Sequence, residues 1–188
     1  LSAKILCFAG SARKASLNKK LAKVCAELIE NQAAEATFID LRDYPMPLYD
    51  GDLESESGIP ENATKIRKLL AEHDGFVIAC PEYNSSITPL LKNTIDWISR
   101  DGGIAEAFRG KVGALVSASP SWRGGLRGLV TVRSIFGNIG VYVIPAQFML
   151  THADKAFDDE GKLTDSGQVE LLEKLVKQLV ETARKLNS

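Results

Sequence analysis

The sequence predicts an α/β fold, a doubly wound five-stranded parallel sheet with helices on both faces, and three observations predict it. Five short apolar runs alternate along the chain with five stretches of helical periodicity. The first, third and fourth runs are nearly continuous in Ile, Val, Leu, Phe, Ala and Cys, the pattern of strands buried on both faces. Strand-helix alternation of this kind calls for parallel pairing, and right-handed crossovers restrict it to a few strand orders.

The elements follow in chain order. Residues 4–9 are a compact apolar run ending at Gly10, so they read as a buried strand. Residues 17–32 place Leu21, Val24, Cys25, Leu28 and Ile29 at helical spacing. Residues 36–41 form the second strand. Residues 42–60 hold Pro45, Pro47, Gly51, Gly58 and Pro60, and so long a connection often marks a functional loop. A helix over 61–73 carries Ile66, Leu69 and Leu70 on one face. The third strand covers 75–80. The next helix covers 89–99, with Pro89 suited to its first turn. The fourth strand is 111–117 and the following helix 125–138. A fifth strand starts at 141–144, with continuation past Pro145 left open, and the last helix spans 166–186 with Leu171, Leu172, Leu175, Leu179 and Ala183 on its face. One domain over 1–188 is the expectation.

Composition excludes several classes. The net charge is -1, with basic and acidic residues interspersed, so no nucleic acid is expected. No apolar run approaches the roughly 20 residues that cross a bilayer, so no membrane is expected either, and the cytoplasm is the default. With Leu1 first, an initiator Met or a tag is expected to have been removed. The 3 cysteines, Cys7, Cys25 and Cys80, are odd in number and lack CxxC spacing, which speaks against disulfides and zinc. His73 and His152 fit no metal or triad spacing.

The chemistry lies in loops that follow strands, where ligands of open α/β sheets bind. The first, residues 10–18, suits a phosphate. A helix starting near Leu17 offers free N–H groups and a positive dipole end. Ser11, Ser16 and Asn18 add short donors, and Arg13 adds a planar fork. An ordinary strand-to-helix turn capped by Ser16 or Asn18 is the plainer alternative. G-x-G-x-x-G and G-x-x-x-x-G-K-[ST] are absent, against a dinucleotide fold or a P-loop triphosphatase. The second loop puts Pro81, Glu82, Tyr83, Asn84 and Ser85 directly after a strand. Its backbone suits the polar edge of a flat ring, with Tyr83 lining the ring or the adjacent pocket; a turn with a Ser or Thr cap before the helix at Pro89 is the alternative. The third follows Ser117 and ends in Gly124 and Gly125, which let the backbone approach a ligand. Trp122 there covers the ring, meets another subunit or faces solvent. A phosphate and a flat ring at adjacent strand ends indicate a mononucleotide, with flavin mononucleotide (FMN) the best candidate.

These loops together resemble the NADPH-dependent FMN reductase family of the flavodoxin-like fold. The resemblance is carried by Gly10-Ser11-x-Arg13-x-x-Ser16-x-Asn18, Pro81-Glu82-Tyr83-Asn84-x-Ser86, Pro89-x-Leu91-Lys92-Asn93-x-Ile95-Asp96-Trp97 and Gly124-Gly125-x-Arg127. It implies FMN held at its phosphate by Ser11, Arg13, Ser16 and Asn18. It implies ring contacts from Pro81, Glu82, Tyr83, Asn84 and Ser85, with Ser117, Gly124 and Gly125 on the third loop. It also implies a homodimer or homotetramer, with Trp97, Arg100, Tyr49 and Asp50 as interface candidates. The bulk of Ser119-Pro120-Ser121-Trp122-Arg123 departs from the short glycine-rich loop common in the family.

The function expected is an FMN-dependent oxidoreductase that takes hydride from NADPH or NADH and passes it to a flavin, quinone, azo compound or similar small acceptor. No catalytic side chain and no metal is expected, because the cofactor carries the chemistry. The rival readings are a flavodoxin-type electron carrier, an FMN-binding sensor, and a dinucleotide-binding enzyme using Asp40 for a ribose.

Overall fold

The computed structural model describes residues 2–187. Five parallel strands, β1 (Lys4–Ala9), β2 (Glu35–Phe38), β3 (Gly75–Ala79), β6 (Val112–Ala118) and β7 (Tyr142–Leu150), lie in the order β2-β1-β3-β6-β7. Between β3 and β6 the chain adds a two-stranded hairpin, β4 (Glu82–Tyr83) and β5 (Ser86–Ile87). The helices are α1 (Leu17–Glu30), α2 (Gly51–Ser57), α3 (Glu61–Ala71), α4 (Pro89–Ile98), α5 (Leu126–Asn138) and α6 (Ser166–Leu186).

Strand residues alternate between two cores, which is why the runs read as continuously apolar. Ile5, Cys7 and Ala9 face a cluster completed by α1 and α6. Leu6 and Phe8 face a second cluster completed by α3, α4 and α5. Both terminal elements match expectation, β1 at its two ends and α6 over its full length.

Two local features in the connection over 42–60 differ from expectation, and a third, at β7, settles a point the sequence left open. The connection over 42–60 contains α2, capped by Asp50, whose side chain accepts from Asp52 N. None of its residues is buried, so it carries no apolar periodicity to read. The connection is fastened to α4: the Asn93 amide and the Trp97 indole both donate to the Pro47 carbonyl, at 2.9 and 2.8 Å, and Tyr49 N donates to Asn93 Oδ1 at 2.7 Å. Trp97 is therefore fully buried inside the chain and is no surface for a second subunit. Finally, β7 does continue through Pro145. The register against β6 shifts between Gly113 and Leu115, and β7 is an edge strand. A bulge on an edge is where a sheet tolerates proline. Arg133 donates to the Ile144 carbonyl there at 2.9 Å.

Candidate cofactor site

Strand order reverses between β1 and β3, so the chain wraps to opposite sides from these neighbours. The loops after β1, β3 and β6 all leave this carboxyl edge. Gly10 joins the first two: its N–H donates to the Ala79 carbonyl at 2.9 Å, and its carbonyl accepts from buried Thr88 Oγ1 at 2.7 Å. Thr88 is also the N-cap of α4, accepting from Leu91 N. A Cβ on Gly10 would stand 2.9 Å from Leu91 Cβ, so a larger residue would push the loop off α4.

The first loop holds several donors that have no acceptor among the described residues. Ser16 caps α1, its oxygen accepting from Lys19 N at 3.4 Å. Ser11 Oγ accepts from Arg13 N at 3.3 Å. Both serines are buried, and among the described residues neither hydroxyl proton has a protein acceptor. The N–H groups of the first turn of α1 have no helical acceptor by geometry. Arg13 is exposed, and its guanidinium forms no ion pair among the described residues. Buried hydroxyl protons, free N–H groups and an unpaired guanidinium fit an acceptor-only dianion such as a phosphate monoester.

Asn18 is placed differently from the other three. Its amide donates to the Ala118 carbonyl at 2.8 Å and accepts from Ala118 N at 2.9 Å. It thus bolts the start of α1 to the end of β6. Lys19, next to it, is buried and pairs with Asp40 at 2.6 Å. Asp40 also accepts from Arg42 N. Its carboxylate is committed at both oxygens, which removes the basis for a ribose-binding role.

The second loop is the β4–β5 hairpin. Asn84 and Ser85 both have positive φ, 50° and 65°, as a two-residue turn matching strand twist requires. Glu82 does not point into open space. Its Oε2 accepts from Arg127 N at 2.8 Å and Gly128 N at 3.2 Å, capping α5 from another segment. Gly125, the cap residue within α5's own chain, offers no side-chain bond. Arg127 Nη1 in turn donates to Ser85 Oγ at 2.8 Å. Hairpin and helix are clasped at two points, which leaves the hairpin backbone and half-exposed Tyr83 facing outward.

The third loop is pinned from below. The buried Ser117 hydroxyl donates to the Gly124 carbonyl. Gly124 and Gly125 both have positive φ, 61° and 89°, and a Cβ on Gly125 would stand 2.9 Å from Ser117 Cβ. These glycines are therefore demanded by backbone conformation and close packing. Gly125 also lies beside the second loop, the same hypothetical Cβ being 3.8 Å from the Cys80 carbonyl. Cys80 itself is fully buried and its thiol is pushed up by burial, so it packs as a small apolar group.

The structure thus brings Ser11, Arg13 and Ser16 together at one loop, Pro81 to Ser85 at the next, and Ser117, Gly124 and Gly125 beside it. The Ser or Thr cap expected before Pro89 is Thr88, but its bond to the Gly10 carbonyl and the capping role of Glu82 were not read from the sequence. Glu82 gave no local signal, since its partners lie 45 and 46 residues away. A separate concavity of about 790 Å³ lies at the opposite, amino edge. Two of its charged groups are used within the chain: Asp74 accepts from Lys4 N, and Arg184 donates to the Gln32 and Ala33 carbonyls.

Comparison with known proteins bears on the family and the fold. A quinone reductase of Pseudomonas putida is 36% identical over 158 residues, covering 83% of this chain and 82% of that protein. An NAD(P)H:quinone oxidoreductase of Solanum tuberosum is 33% identical over 188 residues, covering 97% and 94%. Among solved structures, a flavoenzyme NAD(P)H:(acceptor) oxidoreductase of Paracoccus denitrificans superposes with a TM-score of 0.83 at 28% identity, covering 97% of this chain and 98% of that one. An archaeal flavodoxin, at 13% identity and a TM-score of 0.65, shares the fold. Residues 3–155 match the family described as NADPH-dependent FMN reductase, and this chain, an FMN-dependent NAD(P)H oxidoreductase, belongs to it.

Proposed function

We propose that the three carboxyl-edge loops hold FMN and that the acceptor is a quinone. The observation that carries the placement is the cradle of unpaired donors in the first loop, set at the reversal in strand order and next to the clasped hairpin. Quinone as acceptor rests on the quinone-reducing relatives.

Bound FMN supplies a two-electron carrier between the nicotinamide and the acceptor. The protein's part is to bind, orient and keep the ring accessible. Ser11 and Ser16 hydroxyls, Arg13 and the first turn of α1 take the phosphate. Asn18, engaged with Ala118, sets the height of that turn relative to β6 and so acts on the phosphate through position. Backbone groups of residues 81–85 read the polar edge of the ring, with Tyr83 beside it. Glu82 acts there through its clasp on α5, and Ser117 acts by fixing Gly124. Gly125 presents backbone without a side chain. A ring held by these groups would leave the side beside half-exposed Tyr83 accessible to the nicotinamide and to the acceptor, which would be oriented against it.

Residues 1–188 form one FMN-binding unit in this reading. A homodimer or homotetramer is supported by exposed Leu126 and Val130, one turn apart on α5 beside the loops. No helix among the described residues is long and apolar enough to cross a membrane; the cytoplasm is the location this reading proposes. The test is FMN affinity by quenching of flavin fluorescence. Arg13→Ala should weaken it by roughly 10-fold or more, the worth of a charge-assisted phosphate contact. Unchanged affinity in Arg13→Ala and in Ser16→Ala would move the phosphate elsewhere.

A further inference from the structure

Three arginines lie at or beside these loops, Arg13 on the first, Arg123 on the third and Arg127 in the first turn of α5, and the structure separates them. Arg13 belongs to the first loop. Arg127 is committed, its guanidinium to Ser85 and its N–H to Glu82. Arg123 forms no ion pair among the described residues. Its guanidinium carbon lies 4.3 Å from the centroid of the Trp122 ring.

This pair is held out by a rigid loop. Ser119 N donates to the Leu150 carbonyl, and the Ser119 carbonyl accepts from Ala153 N. Ser121 N donates to Ser119 Oγ, Arg123 N to Ser121 Oγ, and Gly124 N to the Ser121 carbonyl. Those successive turns hold the loop backbone and leave the two side chains exposed. Trp122 is 68% exposed, an expensive position for a large aromatic ring with nothing on its free face. Directly after the pair come Gly124 and Gly125, the latter lying beside the second loop.

An aromatic ring with a guanidinium over one face and the other face free recognises a flat base carrying a phosphate one sugar away. The base stacks on the ring and the planar fork takes the phosphate oxygens. The two pyridine nucleotides differ in that group alone: NADPH carries a 2′-phosphate on its adenosine ribose, and NADH carries a hydroxyl. We propose that Trp122 and Arg123 form the subsite for the adenosine 2′-phosphate of NADPH, Trp122 stacking the adenine and Arg123 reading the phosphate. The proposal rests on the cofactor placement given above, and it makes this bulky loop a specificity-determining element.

The test uses FMN-loaded protein and two readouts. Calorimetric titration with adenosine 2′,5′-bisphosphate and with 5′-AMP measures the subsite without any turnover. Anaerobic mixing with NADPH or NADH, followed by a quinone, measures each half-reaction. Arg123→Gln should weaken the bisphosphate by roughly 10- to 100-fold, leave 5′-AMP unchanged, and lower flavin reduction by NADPH and not by NADH. Arg123→Lys should restore part of the loss. Trp122→Ala should weaken both adenosine ligands several-fold, with Trp122→Phe intermediate, and leave reoxidation by quinone unchanged. A wild-type preference for NADH, bisphosphate binding indifferent to Arg123→Gln, or a Trp122→Ala effect confined to the quinone step would each overturn the proposal. Failure of the cofactor placement looks different: FMN then fails to bind, or neither nucleotide reduces it, whatever the bisphosphate titration gives.

Discussion

Asn18 and Ala118 are 100 residues apart in sequence and exchange two hydrogen bonds, of 2.8 and 2.9 Å. The side-chain amide of the first imitates a backbone peptide and extends the β6 ladder by one step onto α1. The height of the phosphate cradle above the sheet is thereby fixed by a side chain that faces away from it. Asn18→Ala leaves a buried N–H and carbonyl unpaired, which costs about 2–3 kcal/mol. The expected result is a lower denaturation midpoint and weaker FMN binding together. Asn18→Ala with wild-type stability would mean that water replaces the amide fully.

The Glu82 clasp gives a second prediction. Its carboxylate accepts two N–H groups at the start of α5 and supplies negative charge where the helix dipole favours it. Glu82→Ala should cost about 1 kcal/mol and weaken FMN by loosening the hairpin. Glu82→Gln keeps an acceptor oxygen and should recover most of the stability. Denaturant titration with and without FMN separates the two effects. Equal losses in both variants would show that charge, not the hydrogen bonds, holds the hairpin to α5.

The buried thiols predict how stability depends on pH. Cys7, Cys25 and Cys80 are fully buried, and burial pushes all three up, Cys25 to about 12. In the unfolded chain thiols ionise from about pH 8.5. Because the folded values are raised, their contribution is complete below that pH and is lost as pH rises above it. For each thiol the loss is about 1.4 kcal/mol per pH unit, and for Cys25 it continues toward its folded value. Denaturation of wild type and Cys25→Ala from about pH 8.5 to about pH 10.5 should give a difference with that slope. Parallel curves would contradict it, as would reaction of a thiol reagent with the native protein.

Much of the fold was legible because strand and helix signals are local. β1 and α6 could be read to their ends, since one is a continuous apolar run and the other a long apolar stripe. α2 could not, because a helix that buries nothing has no stripe; its Asp50 cap was the lone clue. The hairpin escaped because two-residue strands are too short for any periodicity, although Asn84 is a residue type suited to positive φ. At the site, the loops were legible and the partners within them were not. Asn18 and Glu82 both look like ligand contacts in a one-dimensional string. Their true partners, Ala118 and the start of α5, come near only when the sheet and helices are assembled. Trp97 shows the same limit, since its indole is used by Pro47, 50 residues earlier.

The most direct measurement is anaerobic. FMN is added to the purified protein, then NADPH or NADH, and the flavin absorbance band is followed before and after a quinone is supplied. The expected result is binding of FMN, enzyme-dependent bleaching by a pyridine nucleotide, and return of the band on adding the quinone. FMN that binds and is bleached by neither nucleotide would contradict the oxidoreductase reading. No binding of FMN would contradict the placement of the cofactor at the three loops.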